Sequence, residues 1–199
     1  ARVFGESQIA KFGKPVERVY LEPERVPAYP GATRAILDAD LLVLGPGSLY
    51  TSVLPNLLVE EICAAMNVSP AQKLFVANVA TERGETDGYA VEDYLRALHK
   101  HCEGLELDGV LVNANTSGNL PPQAQIDFVV ARETNSAYAF ANVVDDERAW
   151  RHDSEKLARA VLHWYTKQTK SPPLVNEIES QLRQLELQQK HGSRETVKQ

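Results

Sequence analysis

The sequence predicts an α/β fold built on a mainly parallel sheet, and three observations carry that prediction. Short apolar runs recur along the chain, at Leu41–Leu44, Lys73–Val79 and Asp108–Val112, and unbroken apolar strands are those a parallel sheet buries on both faces. The first two runs are each followed by apolar residues at helical spacing. These are Leu57, Leu58, Ile62, Ala65 and Met66 after the first, and Leu95, Leu98 and Cys102 after the second. Strand, helix, strand, helix, strand in that order requires parallel pairing with crossover helices.

Taken in order, residues from Ala1 to about Leu21 alternate short apolar runs with Gly, Lys and Pro, which predicts a β-hairpin or two edge strands around Lys11–Pro15. A short helix is expected over Gly31–Ala39, then the strand Leu41–Leu44 and a glycine loop. The second strand ends in Asn78-Val79-Ala80-Thr81, and its helix is expected over Val91–Cys102. After the third strand, Asn113 to Asn119 and Pro121-Pro122 make a polar loop. Ala137–Val144 is a candidate fourth strand, and Ser154–Trp164 a helix capped by Asp153 or Ser154.

Ser171-Pro172-Pro173 separates a body of residues 1–170 from a final segment, 171–199. In that segment Leu174, Ile178, Leu182 and Leu185 form a helical stripe. Either the body of the same domain or a second copy of the chain, docking through residues 174–190, would cover it. From His191 the composition is polar and a frayed tail is expected.

At 199 residues and 43% hydrophobic composition, the chain is long enough for one substantial core. A net charge of −6 argues against a protein that grips nucleic acid through its phosphates. No apolar run approaches membrane-spanning length and no signal segment opens the chain, so neither membrane nor nucleic acid is an expected partner and the expected compartment is the cytoplasm. The two cysteines, Cys63 and Cys102, form no metal or redox spacing and read as buried free thiols. The chain starts at Ala1 and enters directly into strand-like Arg2-Val3-Phe4, so a preceding segment is expected.

The stretch Gly45-Pro46-Gly47-Ser48-Leu49-Tyr50-Thr51-Ser52 leaves the first strand at the edge where open α/β sheets bind ligands. Gly45 and Gly47 let backbone approach a ligand, and Ser48, Thr51 and Ser52 add hydroxyls near a helix start that favours negative charge. The spacing matches neither the dinucleotide fingerprint nor the lysine-bearing phosphate loop, so a bare strand-loop-helix turn explains it as well. A second loop, Asn78 to Tyr89, leaves the next strand at the same edge, and two such loops make a cleft. In it Asn78 and Thr81 are candidates to orient a polar ligand, and Glu85 and Asp87 to coordinate Mg²⁺ or accept sugar hydroxyls. The alternative is that Thr86 or Asp87 caps the next helix and Glu85 is solvated. Tyr89 stacks on a base or packs on the helix.

Gly45-Pro46-Gly47-Ser48-Leu49-Tyr50-Thr51-Ser52-Val53-Leu54-Pro55-Asn56-Leu57-Leu58-Val59, with Gly84-Glu85-Thr86-Asp87-Gly88-Tyr89, closely resembles the YvcK branch of the YvcK/CofD-like proteins. Val3 to Ile9 resembles that family's Gly-Glu-Ser segment, and Trp150-Arg151-His152-Asp153 its Arg-His element, so the resemblance spans about residues 1–165. It implies a Rossmann-like three-layer sandwich whose N-terminal half, with a glycine-rich first phosphate loop, is absent from this sequence. It further implies binding of a UDP-sugar, UDP-N-acetylglucosamine in the YvcK branch, with no cofactor required, in support of gluconeogenic growth and cell-envelope morphogenesis. The sibling CofD branch transfers a phospholactyl or phosphoenolpyruvyl group to a deazaflavin with Mg²⁺, for which Glu85 and Asp87 would be the metal ligands here.

On this resemblance the ligand-binding set is Gly45, Gly47, Ser48, Leu49, Thr51, Ser52, Asn56, Asn78, Thr81, Glu85, Thr86, Asp87, Tyr89 and Arg151; no catalytic residue is assigned. The guanidinium of Arg151 suits a phosphate bidentately, and an ion pair with Asp153 or Asp145 is the alternative. The segment from Asn113 to Val144 is short and unlike the family pattern. His99 and His101, two apart on a helix, point to different faces, and neither His152 nor His163 has a triad arrangement. Three functions follow for testing: a regulatory binding protein, a CofD-like transferase, or an assembly fragment.

Overall fold

A computed structural model describes residues 2–9, 11, 13 and 15–169 of the chain. The polypeptide divides into two units, residues 1–161 and 162–199. The described part of the second unit is the last turns of one helix, and the leucine stripe of residues 174–190 lies outside the described residues.

The first unit is organised on a four-stranded sheet in the order β1-β2-β3-β4, parallel throughout. The strands are β1 (Leu41–Leu44), β2 (Gln72–Val76), β3 (Gly109–Asn113) and β4 (Tyr138–Ala141). Leu44 pairs with Phe75, and Phe75 with Val110. This register aligns the carboxyl ends of β1 and β2, so the chain leaves both at one edge. β3 is buried at every position, as expected for an interior strand covered on both faces.

The helices follow from local chemistry. α2 (Pro30–Asp38) starts at a proline, whose fixed φ and missing N–H suit a first turn. β1 leads through a π-type turn, Leu49–Val53, into α3 (Leu54–Leu57), and a break at Leu58–Val59 precedes α4 (Glu60–Val68). The expected single helix is therefore two. Beyond α4 the buried Lys73 ammonium donates to the carbonyls of Ser69 and Ala71, at 2.8 and 3.3 Å, where positive charge is favoured by the helix end. α5 (Val91–His101) carries Glu92 and Asp93 in its first turn and His99, Lys100 and His101 in its last, matching the helix dipole at both ends. Val91, Tyr94, Ala97 and Leu98 are its buried residues. α6 (Ser154–Thr169) runs five residues past its expected end, and Asp153 Oδ1 accepts the Lys156 N–H at 2.8 Å as its cap.

Two expectations are corrected. Among the described residues before residue 29 there is a helical turn, α1 (Glu6–Ile9), and no strand, in place of the expected hairpin or edge strands. The apolar residues there pack singly rather than pairing as strands. Val16 and Val19 join the core, and the Val19 N–H donates to Nε2 of His101 at 3.1 Å. Nor are the cysteines free. Cys63 on α4 and Cys102 just beyond α5 form a disulfide with Cα atoms 5.8 Å apart, within bridging range. They stand 39 positions apart in the chain, so no local spacing announces the pair; the topology that lays α4 beside the end of α5 creates it.

Candidate functional site

The first turn is built around Gly45, which follows β1 with φ +82°, and the Gly45–Pro46 peptide is cis. A Cβ at Gly45 would stand 3.0 Å from the carbonyl oxygen of Val76 at the end of β2. Glycine is required here both for its φ and for this close approach. The Val53 N–H then donates to Ser48 O at 2.9 Å. Leu49 and Tyr50 are buried in the core, so the side chain of Leu49 serves packing. Asn56, exposed on α3, donates to Ser52 O.

The second turn meets the first through side chains. The Gly47 N–H donates to Asn78 Oδ1 at 3.3 Å, the Ser48 hydroxyl to Glu85 Oε2 at 2.5 Å, and the Thr51 hydroxyl to Ser48 Oγ at 2.7 Å. The hydroxyls of Tyr50 and Tyr89 lie 2.7 Å apart. Of the expected residues, Asn78, Thr81, Glu85 and Thr86 are buried. Several of them hold the loop in shape. Thr81 exchanges two bonds with the backbone of Asp127, and Thr86 Oγ1 accepts the Glu82 N–H and the Tyr94 hydroxyl. Asp87 accepts the Gly84 N–H at 2.7 Å. The start of α5 is held instead by Asp93, whose carboxylate accepts the Ala90 N–H at 2.9 Å. Tyr89 packs edge-on against Tyr50 and Tyr94.

Arg151 is exposed and makes no ion pair among the described residues. Both carboxylates expected to compete for it are engaged elsewhere: Asp145 with Arg148 at 2.9 Å, and Asp153 at the start of α6. The next residue, His152, bridges through its backbone to Val144, and the carbonyl of Ala77, the first residue past β2, lies beside its ring. The Arg151-His152 element is thereby tied to the sheet edge that carries both turns.

The electrostatics of the cleft are acidic. The Ser48 hydroxyl stands beside Glu82 as well as Glu85. Burial pushes the Glu82 carboxyl above the usual carboxylate range, the Glu85 charge adding to the rise and the Ser48 hydroxyl opposing it. Burial likewise holds the His152 imidazole below its ordinary value. Neither Glu82 nor His152 was among the residues expected from sequence. Glu82 lies inside the loop and differs from a solvated acid only through burial, while His152 enters the sequence reading only as part of the Arg-His element and as a histidine without a triad.

The shift at Glu82 has a stability consequence. A carboxyl raised on folding favours the native state while it is protonated. That contribution is lost as pH rises from the unfolded value, about 4.3, through the folded one. Glu82→Gln, neutral throughout, is expected to raise the urea midpoint relative to wild type near pH 7, with the advantage shrinking toward pH ~4. An advantage independent of pH would contradict this.

Among the described residues, no group of three or more His, Cys, Asp or Glu side chains gathers as a metal site. No described helix is long and apolar enough to cross a membrane.

Comparison with known proteins gives a consistent result. Residues 1–169 match the family model described as 2-phospho-L-lactate transferase CofD. A gluconeogenesis factor of Listeria innocua is 46% identical over 170 residues, covering 80% of this chain and 52% of that protein. One from Listeria monocytogenes is 37% identical over 177 residues, covering 84% and 54%. A crystal structure of a UPF0052 family member from Bacillus halodurans superposes with a TM-score of 0.72 at 38% identity, covering 80% of this chain and 54% of that one. The chain thus spans about half the length of the relatives it matches.

Proposed function

Because the chain belongs to the CofD family, we propose that it binds a nucleotide sugar, UDP-N-acetylglucosamine or a close analogue, between its two turns and acts as a regulatory binding protein. The observation that supports this most is the contact of Ser48 with Glu85, which makes one cleft from two turns leaving neighbouring parallel strands, the position ligands of open α/β sheets favour. The names of its gluconeogenesis-factor relatives fit a role in carbon-source adaptation.

Ligand orientation follows from charge. The Ser48 and Thr51 hydroxyls are spent on each other and on Glu85, and two carboxylates flank Ser48. A diphosphate is therefore driven from the carboxylates toward Gly47, Ser52 and the unpaired guanidinium of Arg151, which would neutralise it. Glu85 and Asn78 would meet the polar, uncharged part of the ligand.

Calorimetric titration of UDP-N-acetylglucosamine into the protein in its full natural length is expected to give saturable binding without turnover. Arg151→Ala should weaken it about tenfold or more, in line with loss of a charge-assisted contact of about 1.5–3 kcal/mol. A flat titration of folded protein would overturn the reading.

A second reading, a CofD-like transferase, is favoured by the carboxylate pair Glu82 and Glu85 at one hydroxyl, oxygen donors of the kind Mg²⁺ prefers. In it Glu85 and Asp87 would hold the ion, with Glu82 a further oxygen donor in the same turn. Transfer to a deazaflavin acceptor from a nucleoside-diphosphate donor at saturating Mg²⁺, read by mass spectrometry, decides it; absence of product retires it.

A further inference from the structure

The Cys63–Cys102 bridge closes a loop that holds β2, the second turn and α5, while Cys63 itself stands on α4, in the segment that continues from the first turn. One covalent bond therefore joins the stretches that carry the two walls of the cleft. The core does not depend on it. Leu44, Leu54, Phe75, Tyr94 and Leu98 cluster with their neighbours in the interior, and a chain of this length buries enough apolar surface to fold without a covalent staple.

Contacts lead from the bridge to the cleft. His101, next to Cys102, accepts the Val19 N–H on Nε2 at 3.1 Å and so donates from Nδ1 to the Ala97 carbonyl at 2.7 Å. Its ring stands edge-on to Tyr50 with centroids 6.3 Å apart. The Tyr50 hydroxyl lies 2.7 Å from that of Tyr89, at the end of the second turn. Tyr94 of α5 holds the same turn through the Thr86 hydroxyl at 3.1 Å. α5 thus supports both turns, and the bridge fixes its end to α4. The bridge also lies near the surface: Cys102 is 1% exposed, but Cys63 is half-buried, and the exposed side chain of Asn67 stands 4.0 Å from each sulfur.

We propose that this bridge is a site of thiol–disulfide exchange that regulates the two-turn cleft, tight for ligand when the bridge is closed and weaker when it is open. This regulation rests on the nucleotide-sugar reading above. A thiolate of a dithiol reductant attacks Sγ of the half-buried Cys63, the bond to Cys102 breaks, and Cys102 leaves as a thiolate that takes up a proton. The second thiol of the reductant then displaces Cys63 from the mixed disulfide. The bridge ends as two thiols and the dithiol as its own disulfide, two electrons having passed between them. The end of α5 is then held by noncovalent contacts alone, the Asn67 amide on the Glu103 carbonyl at 2.8 Å among them. The arrangement that joins the turns loses population, and affinity falls by the same factor.

The test titrates UDP-N-acetylglucosamine into the full-length protein, oxidised and after treatment with a dithiol, with free thiols counted by alkylation and mass spectrometry. Opening the bridge is expected to weaken binding about threefold or more, reversibly on reoxidation, and to speed amide hydrogen exchange at residues 48–53 and 86–89. Cys63→Ala should show the weaker affinity with or without the dithiol, and circular dichroism should remain that of the folded protein throughout. Equal affinity in both redox states would overturn the regulation alone. So would a bridge that the dithiol does not open in the folded protein, or weakening that appears only with global unfolding. A flat titration in both states overturns the nucleotide-sugar reading itself, and this regulation with it.

Discussion

Replacing Phe75 by alanine is expected to cost about 3–5 kcal/mol of folding stability. Phe75 sits on β2, paired with Leu44 on one side and Val110 on the other, and is 2% exposed. Its ring packs against Tyr94 of α5, with centroids 6.3 Å apart. Truncation removes apolar area from water-free surroundings and leaves a cavity between strands that hydrogen bonding holds in place, so collapse is limited. The loss reaches the site as well. The ring edge comes within 3.9 Å of the Cβ position at Gly45, and Tyr94 supports Thr86, so both turns lose part of their floor. Urea denaturation followed by circular dichroism measures the cost. A change below about 1 kcal/mol, out of line with buried aromatic truncations, would show that Phe75 is not in the core as described.

Reducing the Cys63–Cys102 bridge is expected to cost about 2–4 kcal/mol, chiefly by restoring conformational freedom to the unfolded chain across a loop of 39 residues. The folded state loses a direct tie between α4, which follows the first turn, and the end of α5, which follows the second. His101, next to Cys102, stacks edge-on against Tyr50, so the tie ends beside the tyrosine that joins the turns. Denaturation with and without a dithiol reductant gives the difference, and Cys63→Ala should reproduce it without reductant. Alkylation of the unreduced, unfolded chain should modify neither sulfur. Free labelling of both would contradict the bridge.

What could be read from sequence divides along a physical line. β1 was legible to the residue because Leu41–Leu44 is an unbroken apolar run cut by glycine, and α5 because its apolar face and end charges agree. The meeting of the two turns was legible from topology: successive parallel strands must end at one edge, and Ser48 and Glu85 meet there. Features that depend on three-dimensional proximity were not. Cys63 and Cys102 carry no mutual signal along the chain, and the short apolar runs before Leu21 mimic strands while Val16 and Val19 pack into the core without strand pairing. The unpaired atoms of Glu82 and His152 are invisible until burial is known.

The central claim is that the two turns act as one ligand site, and a double-mutant cycle on UDP-N-acetylglucosamine affinity tests it most directly. Ser48→Ala, Glu85→Ala and the double variant are titrated beside wild type. One site built across both turns predicts strong non-additivity, a coupling of roughly 0.5–3 kcal/mol between the residues. Effects that simply add, or wild-type protein that takes up no ligand, would contradict it.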